Sequence, residues 1–272
     1  MAWTLAESQK MANSVLLSGV IQTIITESEV LDVLPFETVV GNGYLYNRES
    51  TQPTAQMISV GDTVTESTGT RSQITAALKI MIMDSDLDLF EKDTMSEINN
   101  QEAILLAEAS KAMAYKWDDL FVYGDDSVNT KEFDGLHALT TSAQSVHQGS
   151  SATGAALSMN NLDVLMDRIK PGKPDLLAMN KTVRRRLKQF YRSTNTYSFE
   201  MTVGEDGKHI ETYGGIRIAL DDFITQTETI ASDAYSAKTG GATSTIFAMK
   251  LGRTHVCGLQ NGTIKQTSLG ML

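Results

Sequence analysis

The clearest helical pattern in this chain lies near its middle. TMSE at 94–97 has the Ser/Thr-x-x-Glu form of a capping box, and Gly124 suits a left-handed helix end. Between them, apolar residues recur at intervals of three and four: Ile98, Leu105, Ala109, Ala112, Met113, Trp117, Leu120 and Phe121. The pattern predicts one helix over 94–123, roughly 28 residues and about 42 Å long.

Two segments with strand-like alternation flank a long polar stretch. FETVVGNGYLYN (36–47) predicts a strand with Gly41 and Gly43 as a bulge or bend, and ITAALKIMIMD (74–84) resumes strand character. Residues 48–72 between them are rich in Thr, Ser, Gly and charge. A connection of this length is unusual in a compact domain, and its Thr and Val content favours extended structure. We therefore predict an ordered hairpin whose partner surface belongs to another subunit.

The second half of the chain alternates helical and strand patterns. Helices are predicted at 158–169 and 181–192, separated by the short buried strand DLLAMN (175–180). Strands follow within 209–223 and 244–259, on either side of a polar run. This order predicts a mixed α+β domain.

Composition and charge narrow the class of protein. The chain has 272 residues, 41% of them hydrophobic, and a formal net charge of −10. The negative charge argues against a protein that binds nucleic acid over its whole surface, but it is compatible with a local basic patch. The N-terminus has no signal-peptide pattern, and the apolar stretch 15–25 is too short and polar to span a bilayer. A single cysteine, Cys257, excludes an internal disulfide framework. We expect a soluble protein with no membrane partner.

The acidic stretch WDDLFVYGDD (117–126) is the candidate for metal chemistry, because Mg²⁺ and Ca²⁺ take carboxylate ligands. Its spacing does not match a D-x-D-x-D-G calcium loop, and the chain has no phosphate-binding glycine loop, GxSxG or HExxH motif. We therefore interpret the stretch as a helix end and predict no catalytic, metal-binding or cofactor-binding residue. A metal-dependent enzyme that uses this aspartate cluster is the remote alternative.

A basic cluster stands out against the acidic composition. Its members are Lys181, Arg184, Arg185, Arg186, Lys188 and Arg192. Six positive charges on one predicted helix suit phosphate groups, and they equally suit an acidic face of a neighbouring copy. Both interpretations stay open at this point.

Several segments together resemble the major capsid proteins of tailed bacteriophages, in the same order along nearly the whole chain. They are ESEVLDVLPFETVVGNGYLYNRE, TVTESTG, LKIMIMDSDLDLF, FVYGDD before FDGL, and KPDLLAMNKTVRRRL before YGGIRIALDDF. The resemblance implies the Hong Kong 97 capsid fold, which encapsulin nanocompartments and herpesvirus capsid floors also use. It further implies the following division: an N-terminal arm at 1–34, an extended E-loop hairpin at 35–80, a peripheral domain at 81–134 with a spine helix at 94–123, a mixed-sheet axial domain at 135–250, and a C-terminal return to the peripheral domain at 251–272.

The function implied by the resemblance is structural. Copies of the chain are expected to form pentamers and hexamers of an icosahedral phage head around double-stranded DNA, with an encapsulin-type shell as the alternative. The E-loop residues expected at the contact between copies are Arg48, Glu49, Met57, Ile58, Val60, Glu66 and Arg71. No lysine occurs between Lys10 and Lys79, so the covalent E-loop crosslink of some relatives is not expected. Further expected partners are scaffolding, portal and decoration proteins, and the expected location is the virion capsid, assembled in the host bacterial cytoplasm.

Overall fold

The computed structural model describes residues 28–86, 101–149, 154–194, 199–203, 209–231 and 234–262. The helices are α1 (Val30–Val33), α2 (Gln101–Tyr123), α3 (Leu136–Leu139), α4 (Met159–Asp167) and α5 (Lys181–Thr194). The strands are β1 (Phe36–Thr38), β2 (Gly43–Thr51), β3 (Thr70–Ala77), β4 (Leu176–Met179), β5 (Phe199–Val203), β6 (His209–Tyr213), β7 (Ile216–Leu220), β8 (Thr229–Ala231), β9 (Ala234–Ala237), β10 (Phe247–Met249) and β11 (Gly258–Gln260). The architecture is α+β, as the sequence predicts.

A five-stranded mixed sheet forms the centre of the C-terminal half, in the order β10-β4-β7-β6-β5. Strands β4 and β7 pair in parallel, and the other pairs are antiparallel. All residues of β4 are buried, because this strand has neighbours on both sides and packing on both faces of the sheet. The predicted strand DLLAMN is therefore confirmed as the inner strand β4.

The two faces of this sheet belong to two hydrophobic cores. Side chains alternate along a strand, so Leu176 points to one face and Leu177 to the other. The first face packs against the end of α2 through Phe121 and Val122. The second face is covered by α4 and α5, with Leu187 of α5 fully buried. The sheet thus connects the long helix on one side with the basic helix α5 on the other.

Helix α2 is described from Gln101 to Tyr123, and the predicted capping box at 94–97 lies outside the described residues. The helix ends directly before Gly124, but the prediction of a left-handed cap there is wrong, since Gly124 is absent from the positive-φ glycines. Glycine is required for space, because a Cβ at this position would lie 2.6 Å from the carbonyl oxygen of Leu120 and closer still to that of Phe133. Within the described ranges, no helix is long and apolar enough to cross a bilayer.

The strands around the hairpin differ from the prediction in two ways. The segment 36–47 is two strands, since β1 pairs in parallel with β11 while β2 pairs with β3, and Gly41 turns the chain between them at φ 108°. Strand β3 ends at Ala77 and does not continue to residue 84. The reason is the register: Ala77 lies opposite Gly43, where β2 begins, so the residues after it have no partner strand.

The polar run 224–243 contains the small antiparallel hairpin β8–β9, which the alternation of apolar residues did not predict. Both strands are short and rich in Thr, Ser and Ala, so they carry little period-2 signal.

The predicted N-terminal arm falls largely on residues 1–27, which lie outside the described residues. Its last turn, α1, ends before Pro35, and its Val30 is fully buried in the first core.

Candidate assembly surfaces

The hairpin, defined here as residues 43–77, is held together by its own hydrogen bonds. Strands β2 and β3 pair antiparallel from Gly43 and Ala77 outwards. Thr51 and Thr70 connect the two sides at the ends of the strands, and three pairs connect them beyond: Thr54–Ser67, Gln56–Thr65 and Ser59–Asp62. The Gln56 amide both donates to and accepts from the Thr65 backbone, at 3.0 and 3.2 Å. The Thr and Ser content of this stretch therefore stabilises an ordered hairpin.

The hairpin is exposed along nearly its whole length. Every residue from Leu45 to Gln73 is exposed, and among the described strands β2 and β3 pair only with each other. Met57 and Val60 near the tip are fully exposed, and Ile58 is 56% exposed. Contiguous exposed apolar groups are a feature of interaction surfaces, so the tip is the candidate contact surface of the hairpin.

The charged residues predicted for the contact lie on the same exposed segment. Arg48, Glu49 and Arg71 are on the paired strands, with Glu49 directly opposite Arg71. Glu66 lies on the returning side of the hairpin, close to Ser67 in sequence. The structure thus places all of the predicted contact residues on one projecting element.

The base of the hairpin is attached to the end of α2. Lys79, two residues after β3, forms an ion pair with Asp126 at 2.5 Å and donates to the Thr130 carbonyl oxygen at 2.7 Å. On the other side, the Asn261 amide donates to the carbonyl oxygen of Gly41 at 3.1 Å. These contacts fix the direction in which the hairpin leaves the body of the subunit.

The first two aspartates of WDDLFVYGDD have different environments. Asp118 is 5% exposed, and its Oδ1 has no hydrogen-bond partner among the described residues. Burial raises the pKa of the Asp118 carboxyl to about 6, and the negative charge of Asp32 adds to the rise. Asp119 forms an ion pair with Lys238, whose ammonium also lies 4.8 Å from the centre of the Tyr123 ring.

The last two aspartates stabilise the turn after α2. Asp125 accepts hydrogen bonds from the Ser127 backbone N–H at 2.8 Å and from its hydroxyl at 2.5 Å, and these bonds lower the pKa of Asp125. Asp126 binds Lys79, and its own N–H donates to Asp134 at 2.9 Å. Within the part of the chain that the structure describes, no three His, Cys, Asp or Glu residues are grouped to hold a metal ion. Each of the four aspartates has a separate structural environment.

A buried polar network, which the sequence did not reveal, joins α2 to the C-terminal half. The carboxylate of Glu228, 1% exposed, accepts hydrogen bonds from the Tyr123 hydroxyl at 2.6 Å and the Thr245 hydroxyl at 2.5 Å, and it lies 3.3 Å from Nε2 of His137. The His137 ring stacks on Tyr235 at 3.7 Å. Burial raises the pKa of Tyr123. His137 lies 91 residues and Tyr123 lies 105 residues before Glu228 in the sequence, so no local motif could indicate the network.

The six residues of the predicted basic cluster lie on α5 and fall into two groups by their contacts. Lys181 pairs with Asp222 at 2.8 Å, while Arg184 and Lys188 both pair with Glu211, the former at 3.7 Å. These three cations are therefore neutralised inside the subunit, an arrangement that neither sequence-based interpretation included. The remaining three, Arg185, Arg186 and Arg192, are exposed.

Comparison with known proteins gives similarity at the level of fold. No family model matches the chain, and no curated protein is similar to it. The holo-SrpI encapsulin complex from Synechococcus elongatus PCC 7942 is similar in structure, with a TM-score of 0.67 and 13% identity, over 98% of this chain and 82% of that chain. The capsid of an empty GTA particle has a TM-score of 0.51 at 12% identity, over 84% and 78% of the two chains. Mycobacterium phage Ogopogo has a TM-score of 0.50 at 13% identity, over 80% and 71%.

The first two of these structures are an encapsulin complex and a capsid by their names, and the fold similarity extends over 84–98% of this chain. The chain therefore has the Hong Kong 97 capsid fold, and the fold implied by the sequence resemblance is confirmed. At 12–13% identity the likeness establishes the fold, and the function has to be argued from the surfaces.

Proposed function

We propose that this protein is a self-assembling shell subunit, the major capsid protein of a tailed phage, and that its copies form the pentamers and hexamers of an icosahedral head around double-stranded DNA. The observation that carries the proposal is the hairpin, which projects from a subunit of capsid fold with its apolar tip in water. The proposed division is the one expected from the sequence, with residues 1–34 as the N-terminal arm, 35–80 as the E-loop, 81–134 and 251–272 as the peripheral domain, and 135–250 as the axial domain.

The hairpin supplies the contact between neighbouring copies in this proposal. Met57 and Val60 each contribute about 1.5 to 3 kcal/mol if they become fully buried, and Ile58, which is 56% exposed, contributes about half as much. The hydrogen bonds within the hairpin reduce the entropy that has to be lost on contact, because the segment is ordered before it meets a neighbour. The surrounding charges, such as Arg48 and Glu66, determine the position at which the hairpin docks on the neighbouring copy. A closed shell repeats this contact many times, so a modest free energy per contact is sufficient.

Replacing residues 50–70 by an Asn-Gly turn tests the role of the hairpin. Glu49 and Arg71 lie opposite each other, so a two-residue turn can connect the shortened strands. We expect a folded subunit with an unchanged circular dichroism spectrum that forms no particles in electron micrographs or on size-exclusion chromatography. An unchanged yield of particles would contradict the proposal.

A matched pair of variants tests the tip without changing the backbone. Met57→Ser with Val60→Ser removes two exposed apolar groups from the hairpin, and Val128→Ser removes one that is 85% exposed outside it. We expect the first variant to raise the protein concentration needed for assembly by at least tenfold, because about 1.4 kcal/mol per contact corresponds to a factor of ten. The Val128 variant should assemble like the unmodified chain. Equal behaviour of the two variants would show that the tip is not the contact.

The second candidate function is an encapsulin-type shell, favoured by the TM-score of 0.67 to the holo-SrpI encapsulin complex. Purified particles distinguish the two after treatment with nuclease. A phage head retains protected double-stranded DNA in particles produced during infection, whereas a cargo shell retains a protein and little nucleic acid. The ratio of absorbance at 260 and 280 nm, with mass spectrometry of the contents, decides between them.

A further inference from the structure

One side of α5 forms a basic surface that none of the ion pairs among the described residues uses. Arg185, Arg186 and Arg192, called here the arginine face, fall within a sector of about 120° at 3.6 residues per turn. Leu187 and Tyr191 lie on the opposite side and are buried against the sheet. All three arginines are exposed, and no carboxylate among the described residues forms an ion pair with them.

We propose that the arginine face binds the phosphate backbone of double-stranded DNA inside the shell, an inference that rests on the proposed function. A guanidinium group matches the geometry of a phosphate and binds it through two hydrogen bonds. Arg185 and Arg192 are about 10 Å apart along the helix axis, at 1.5 Å per residue. A duplex carries one negative charge per about 1.7 Å of its length, so a face of this size meets phosphates in any register. The binding is therefore independent of sequence.

The composition of the face favours DNA over a second copy of the chain. Contacts between copies have an apolar centre from which charges are depleted. On α5 the exposed large apolar side chain is Phe190, at 39%, which lies about 40° outside the sector of the three arginines at 3.6 residues per turn, whereas the hairpin carries a cluster of exposed apolar residues. The chain as a whole has a net charge of −10, which repels DNA elsewhere. The arginine face thus defines which side of the subunit faces the packaged duplex.

The test uses a triple variant, Arg185→Gln/Arg186→Gln/Arg192→Gln, with Arg185→Lys/Arg186→Lys/Arg192→Lys as the charge-conserving control. Unassembled subunits are titrated with a 30-bp duplex at several salt concentrations. We expect the slope of log K against log salt to be about 2.7 shallower for the Gln variant than for the original chain, at about 0.9 per lost phosphate contact. The Lys variant should keep most of the slope. In particles, the Gln variant should retain less DNA at an unchanged particle yield.

Two outcomes overturn the inference. An unchanged salt slope together with unchanged DNA content shows that the face does not contact DNA, and loss of assembly with an unchanged slope assigns the face to a contact between copies. If the original chain forms no shells, the proposed function fails, but the titration on unassembled subunits still decides whether the arginine face binds DNA. If the triple variant has a lowered melting temperature, Arg192→Gln alone is used, with an expected slope change of about 0.9.

Discussion

Replacing one buried carboxylate, Asp221→Asn, should make the subunit more stable at neutral pH. Asp221 directly follows β7, is 1% exposed, and accepts the N–H of Phe223 at 2.8 Å. Burial raises the pKa of Asp221 to about 7, and the negative charges of Asp118, Asp222 and Asp119 add to the rise. Asparagine keeps the shape and the acceptor for Phe223, and it removes the charge.

The sign of the effect follows from the two pKa values. The unfolded carboxyl titrates near 3.8 and the folded one near 7, so between these values the folded chain holds a proton that the unfolded chain has lost. Stability therefore falls as the pH rises from about 4 to about 7, and it is level above that range. A shift of about 3 pH units corresponds to about 4 kcal/mol at 1.36 kcal/mol per unit. We expect Asp221→Asn to stabilise the subunit by about 2 to 4 kcal/mol at pH 8 and by less than about 1 kcal/mol at pH 4.5.

The assay is urea unfolding at pH 4.5, 6 and 8, with both chains carrying the Asn-Gly turn in place of residues 50–70 so that subunits stay unassembled. Asp222→Asn is the matched control, because Asp222 is the neighbouring carboxylate and pairs with Lys181 at 2.8 Å. Its replacement removes the ion pair with Lys181 and also part of the repulsion on Asp221, so the two effects oppose each other and the net change at pH 8 should be below about 1 kcal/mol. If Asp221→Asn leaves the pH dependence of the unfolding free energy unchanged, the argument from burial is refuted.

Three further changes test the contacts around α2 and α5. Glu228→Gln removes the charge that the hydroxyls of Tyr123 and Thr245 and the ring of His137 contact. It should lower stability by about 2 kcal/mol and the melting temperature by about 4 to 8 °C, measured by calorimetry. Gly124→Ala places a methyl group against two backbone carbonyls and should cost more than about 2 kcal/mol. A neutral effect, or a gain of up to about 1 kcal/mol as the helix propensity of alanine alone would give, would contradict the steric explanation. Arg184→Glu sets like charges against Glu211 and should lower the melting temperature, whereas Arg186→Glu, on the exposed face, should leave it unchanged; equal melting temperatures would contradict the division of the basic cluster.

The parts of the fold that could be predicted are those that a local sequence pattern determines. Strand β4 is a continuous apolar run between turn residues, and α5 has buried residues at helical spacing, so both were predicted within two residues of their observed bounds. The end of strand β3 could not be predicted, because Ala77 is the last residue with a partner across the hairpin, and the apolar pattern continues past it. The Glu228 network joins residues about a hundred positions apart, and no property of one segment indicates it.

The distribution of polar and apolar groups in this subunit has a common physical explanation. The interior where α2 meets the sheet contains Asp118, Asp221 and Glu228, while the hairpin exposes Met57 and Val60 to water. Buried polar groups add little net stability, but few arrangements of the surrounding residues satisfy their hydrogen bonds. They therefore fix the orientation of the long helix against the sheet. Apolar groups that stay in water contribute no burial free energy to the monomer. They contribute it when a neighbouring molecule covers them. On the proposed function, a subunit whose interior is fixed by polar contacts and whose hairpin keeps apolar groups in water is expected to reach its lowest free energy in an assembly.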